Sequence, residues 1–155
     1  MGALGLIGLI LTLLLVVVPP KPNFSGTWVM DTTRSFSNPA GLEQTMTVTQ
    51  DGDKITLDAK LKTQQGERTI NEQYTVNGQE AAFSPPPAPD GKTVTGKRTA
   101  SWLPDNRGML VVEVVGEQTT TRKWSLSADG SSLTVDYFFD TPRGSFEAKR
   151  VFAKK

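Results

Sequence analysis

From Phe24 onward the chain repeats one pattern: apolar and polar residues alternate in short runs, and turn residues stand between the runs. Ile55, Leu57, Ala59 and Leu61 interleave with Lys54, Thr56, Asp58 and Lys60, the two-residue period of a strand with one buried face. The same parity groups Met46 with Val48, Ile70 with Tyr74 and Val76, Val94 with Ala100 and Trp102, and Leu133 with Val135, Tyr137 and Phe139. Asp51-Gly52, Asn77-Gly78, Asp90-Gly91, Asn106-Arg107-Gly108, Asp129-Gly130 and Pro142-Arg143-Gly144 separate them and supply the positive φ that tight hairpins need. No stretch of ten or more residues after Pro22 carries a 3.6-residue apolar period, so crossover helices and a parallel sheet are not expected. The pattern predicts an all-β domain, an antiparallel up-and-down meander of eight to ten strands. Such a sheet must close or fold over, and sequential hairpins favour closure into a barrel.

The N-terminus is a separate object. Gly2 to Val18 is uncharged and almost wholly apolar, and Pro19, Pro20 and Pro22 then end any helix. As a helix it spans roughly 25 Å, between the length of a signal-peptide core and that of a bilayer span of about 30 Å. It lacks a basic flank and a small-residue cleavage site, so cleavage and anchoring both stay open. The expected organisation is a signal peptide or membrane anchor over 1–22 and a barrel over 23–155, exported or tethered by residues 2–18, touching a membrane only there and otherwise monomeric.

Composition removes several chemistries. The 155 residues include no Cys and no His, which excludes disulfides, zinc fingers, thiol nucleophiles and His-based triads. With 17 Lys plus Arg against 16 Asp plus Glu and no dense basic block, no nucleic-acid partner is expected. No paired carboxylates or phosphate loop can be placed, so no catalytic residue, enzyme activity, cofactor or metal is expected. Asp51 and Asp53 read as a solvated turn rather than a calcium loop. Asn23-Phe24-Ser25 matches a glycosylation sequon. The proline-rich stretch from Ser84 to Gly91 reads as an extended rim loop.

The domain opens Phe24-Ser25-Gly26-Thr27-Trp28 and closes Lys149-Arg150-Val151-Phe152. Together these resemble the calycin barrels, the lipocalins and fatty-acid-binding proteins, and above all short exported bacterial lipocalin-like domains. Gly26 and Trp28 match the Gly-x-Trp of the first lipocalin strand, and the resemblance implies that Arg150 packs across Trp28. The opening and Asp51-Gly52-Asp53-Lys54-Ile55-Thr56-Leu57 also resemble fatty-acid-binding proteins. Two departures stand out. Only eleven residues, Thr32 to Leu42, separate Asp31 from Glu43, too few for that family's two-helix lid, and Phe152 stands where its anion-gripping tyrosine would be.

Four charged residues share parity with the apolar set: Glu72, Arg98, Arg122 and Arg150. An interior with three cations and one anion holds surplus positive charge, which a ligand carboxylate would satisfy. The expected ligand is a small hydrophobic or anionic amphiphile such as a fatty acid, met by Arg98, Arg122, Arg150, Glu72, Tyr74, Trp102, Trp124 and Tyr137. The resemblance supports Arg150 by motif and Arg122 through the preceding Thr119-Thr120. The alternative is a filled, ligand-free structural barrel, with the charges paired among themselves and the aromatics serving as core.

Overall fold

The computed structural model of the chain describes residues 14–85 and 90–155, so the leader and the centre of the proline-rich loop lie largely outside the described residues. Ten strands follow in order: β1 (Gly26–Phe36), β2 (Glu43–Asp51), β3 (Lys54–Thr63), β4 (Gly66–Thr75), β5 (Glu80–Phe83), β6 (Gly96–Trp102), β7 (Met109–Val115), β8 (Gln118–Leu126), β9 (Ser132–Thr141) and β10 (Gly144–Lys154). They form one antiparallel sheet in the order β4-β3-β2-β1-β10-β9-β8-β7-β6-β5. The first and last strands pair, and the sheet curls until its two edges, β4 and β5, approach one another without a ladder between them. Closure at this seam rests on a bridge between Val76 and Ala100 and on the 2.8 Å bond from Gly78 N–H to the Ala100 carbonyl.

The alternation decides which face curls inward. Gln44, Met46 and Val48 of β2 lie opposite Leu61, Ala59 and Leu57 of β3, all buried. Val94, grouped by parity with Ala100, instead precedes β6 and is exposed. The two ends of the barrel differ. At the lower end Phe24 and Trp28 are 0% exposed and pack with Ile55, Met109, Trp124 and Leu133. The Trp28 indole donates to the Phe24 carbonyl at 2.8 Å, and Phe24 stacks on Trp102 and meets Trp124 edge-on. Burying each such side chain contributes roughly 1.5–3 kcal/mol.

The segment before β1 is strapped beneath this plug. Gln50 accepts from Phe24 N–H and donates to the Pro22 carbonyl, Lys21 pairs with Asp53 at 2.7 Å, and Asn106 donates to the Pro19 carbonyl at 2.7 Å. Asp53, read as part of a solvated turn, therefore fastens the strap and also accepts from the Trp102 indole at 2.9 Å.

At the upper end β1 runs directly into the turn before β2, and no helix lies between Phe36 and Glu43. A bulge in β1 makes this possible: Asp31 to Phe36 spans the same ladder as Val151 to Lys149. Asp31 organises it, accepting from the Thr33 hydroxyl and from the Arg34 Nε–H at 2.8 Å, and these bonds lower its pKa to about 2.

Candidate functional site

Midway up the barrel, above the aromatic plug, the inner face turns polar. β8 contributes Arg122, β4 contributes Glu72 and Tyr74, β6 contributes Arg98, and β10 contributes Arg150. A fifth charge completes the layer: Glu113 of β7, which shares strand parity with buried Met109 and Val111. Its signal was present in the sequence, because an odd-numbered residue in Met109–Val115 takes the same face as Met109.

Four of the five charges form one cluster across the seam. Arg122 Nη1 meets Glu72 at 3.0 Å, and its Nη2 bonds Glu113. Arg98 meets Glu113 at 2.9 Å and Glu72 at 3.5 Å. It also donates to the Gln73 carbonyl at 3.4 Å, so the cluster ties β4 to β6, β7 and β8 where no backbone ladder runs. Aromatic rings enclose it. Arg98 lies between Tyr74 (4.9 Å) and Phe83 (4.3 Å), Arg122 stands 5.4 Å from the Tyr74 ring, and the Tyr74 hydroxyl donates to Glu72.

Burial and pairing compete in setting the proton affinities. Burial pushes the Glu72 carboxyl up, but Arg122, the Tyr74 hydroxyl and Arg98 outweigh it and hold the group below its ordinary 4.5. For Tyr74, burial is the leading cause and Glu72 adds to it, so the phenol stays protonated well above its ordinary 10. Arg122, 8% exposed, stays charged because the Glu72 and Glu113 carboxylates offset the desolvation of its guanidinium.

Arg150 is different. Its Nε–H donates to Asn38 Oδ1 at 3.0 Å and its Nη1 to Gln44 Oε1 at 2.9 Å, while the guanidinium lies 4.6 Å over the Tyr137 ring. Among the described residues no carboxylate pairs with it. The layer therefore holds three guanidiniums and two carboxylates, a surplus of one positive charge rather than two. Nor does Arg150 cover Trp28. The register sets Trp28 opposite Lys154, and Lys154 Nζ takes that position at 5.4 Å from the indole.

A cavity of about 40 Å³ lies in this layer, with Gln44, Glu72, Arg122, Trp124, Tyr137 and Arg150 among its lining residues. Neither the Arg122 Nε–H nor the Trp124 Nε1–H meets a protein acceptor, so the cavity is lined by two residues with donors to spare. It suits one acceptor oxygen, not a whole amphiphile, whose pockets run to hundreds of Å³. Larger spaces lie elsewhere. Asn38, one partner of Arg150, lines a groove of about 450 Å³ along the β1–β2 connection; Tyr74, Phe83 and Arg98 border one of about 270 Å³ at the seam; and one of about 740 Å³ over β1 to β4 reaches Gln44 but is lined mostly by outward-facing residues such as Thr45, Lys60 and Thr69. Met30, Thr32 and Glu43 border the first and the last of these. On the neighbouring strands β9 and β10, Tyr137, Phe139 and Phe146 stack in a ladder from beside Arg150 to the rim, where Phe146 is 54% exposed.

The sequence-predicted residues thus divide. Glu72, Tyr74, Arg98 and Arg122 gather in the seam cluster, Arg150 and Tyr137 form a second group, and Trp124 lies just beneath. Trp102 is not among them, because it belongs to the lower plug beside Phe24 and Asp53.

No protein-family model and no curated protein matches the chain's sequence. Solved structures match it in fold. The fatty acid transporter REP1-NXSQ aligns at TM-score 0.61 and 13% identity over 85% of this chain and 96% of its own. Fatty-acid-binding protein 1 of Echinococcus granulosus aligns at 0.58 and 16% identity, over 84% and 96%. The zebrafish ileal bile acid-binding protein, solved with cholic acid, aligns at 0.53 and 16%, over 85% and 98%. The chain has the barrel fold of these proteins, with a short connection between β1 and β2 and a closed plug beneath its polar layer.

Proposed function

We propose that this protein binds a small anionic amphiphile, its carboxylate on Arg150 and its apolar part in the rim groove along the β1–β2 connection. The observation that carries this reading is the pairing of Arg150. A guanidinium drawn into a protein interior ordinarily meets a carboxylate, and this one is held by two neutral amides that a ligand carboxylate can displace. Asn38 borders the groove of about 450 Å³ along the β1–β2 connection, so displacing it joins the charge to space large enough for an alkyl or steroid body. The solved relatives in fold bind fatty acids or bile acids by name, which is the same chemical class. Binding without catalysis is part of this reading.

A second reading, a filled structural barrel, is favoured by the interior cavity of about 40 Å³. Titration of the full chain with a fluorescent anthroyloxy fatty acid separates the two. The binding reading expects saturation, competition by unlabelled fatty acid and loss in Arg150→Ala. Absence of saturable binding to fatty acids and bile acids alike leaves the filled barrel standing.

A further inference from the structure

We propose that Glu72 and Glu113 set ligand specificity: they hold Arg98 and Arg122 as resident carboxylates and leave Arg150 as the guanidinium open to an anionic head group. The inference rests on the binding reading above and adds which charge takes the ligand and why.

Arg122 and Arg150 line the same interior cavity, with Arg122 the more buried of the two. Pairing separates them further. Both terminal nitrogens of Arg122 are engaged, Nη1 by Glu72 and Nη2 by Glu113, while Arg150 has only amide partners. An incoming carboxylate at Arg122 must sit beside two fixed carboxylates, and like charges in a partly desolvated site repel strongly. The same two glutamates bind Arg98, and the Tyr74 hydroxyl orients Glu72. They therefore occupy the deep guanidiniums as a ligand would. What stays available there is the Arg122 Nε–H and the Trp124 Nε1–H, donors suited to an uncharged acceptor. The layer is thus graded, with an anion at Arg150 and at most a neutral oxygen beneath it.

Four forms of the full-length protein test this: native, Arg150→Ala, Glu113→Gln and the double variant carrying both changes. Each is titrated with anthroyloxy-stearate and with the matching uncharged alcohol. In Glu113→Gln, affinity for the carboxylate rises about tenfold, the size of one unit of differential charge interaction, and affinity for the alcohol is unchanged. Arg150→Ala loses the carboxylate, and the double variant regains it. The double variant has the same net charge in this layer as the native protein, so recovery reports a freed Arg122 and not a more positive barrel. A double variant that folds cooperatively but stays unable to bind overturns the inference while the binding reading stands. Binding by Glu113→Gln without binding by the native protein overturns the reading, and with it the assignment of Arg150 as the open guanidinium. Failure of both overturns both. If Glu113→Gln does not fold, Glu72→Gln removes the other resident carboxylate and is read in the same way.

Discussion

Arg122 of β8 and Glu72 of β4, 50 residues apart, meet at 3.0 Å across the one junction of the barrel where neighbouring strands share no ladder. Elsewhere full backbone ladders close the sheet. At the seam, the Val76–Ala100 bridge and the Gly78 N–H bond to Ala100 are supplemented by this side-chain charge cluster.

Breaking the cluster from one side is expected to be costly. Arg122→Met leaves Glu72 and Glu113 sharing Arg98 in a largely buried site, and loss of one partner of such a network costs about 3–5 kcal/mol. Urea denaturation followed by tryptophan fluorescence measures it. A loss below about 1 kcal/mol would mean that water already screens the cluster.

Stability should fall at both extremes of pH, through different groups. The folded pKa of Glu72 lies below its ordinary 4.5, so its contribution is present above pH 4.5 and disappears as pH drops through the folded value. Tyr74 is raised above 10, so its contribution is present below pH 10 and disappears as pH climbs toward the folded value. Melting temperature against pH tests both: Glu72→Gln should flatten the acid limb, and Tyr74→Phe the alkaline one.

Phe24 is the keystone of the lower plug. Phe24→Ala removes a ring that is 0% exposed and lies against Trp102 and Trp124, at an expected cost of about 3–5 kcal/mol. Because Gln50 holds the backbone on both sides of Asn23, the variant should also expose residues 19–23 to proteolysis. Limited digestion with mapped cleavage sites reads this directly, and protection equal to that of the native protein would show that the polar strap suffices.

Gly108 and Gly116 should respond unequally to methylation. A Cβ on Gly108 would lie 2.1 Å from the Trp124 carbonyl oxygen, which is backbone and cannot turn aside, so Gly108→Ala should cost 1–3 kcal/mol or more, an estimate of about the size seen for overpacked cores. Gly116 has open space around it and only its φ of +58° to oppose a side chain, so Gly116→Ala should cost about 1 kcal/mol. Equal chemical denaturation midpoints for the two variants would contradict the close packing of the β6–β7 connection on β8.

The strand pattern was legible residue by residue. Ile55 to Leu61 alternates in sequence and in burial, Asp51-Gly52 and Asp129-Gly130 turn where expected, and even the absence of a helical lid follows from the short span between Asp31 and Glu43. Where alternation failed, a local force overrode it: Asp31 gathers Thr33 and Arg34 into a bulge, and Val94 falls outside β6. The site was only half legible. Parity placed Glu72, Arg98, Arg122 and Arg150 on the inner face, and the same rule applied to Met109–Val115 would have found Glu113.

Parity names a face but not a partner. That Glu72 spans the seam to Arg98 and Arg122, that Lys154 and not Arg150 covers Trp28, and that Arg150 is left with two amides depend on how far the sheet curls and in what register its ends meet. Local alternation and turn chemistry are properties of neighbouring residues, so the sequence by itself determined an antiparallel meander with charges inside it. Charge pairing is a property of distance between residues up to 112 positions apart, as for Arg150 and Asn38, so only the closed barrel decided which guanidinium was left without a counter-charge.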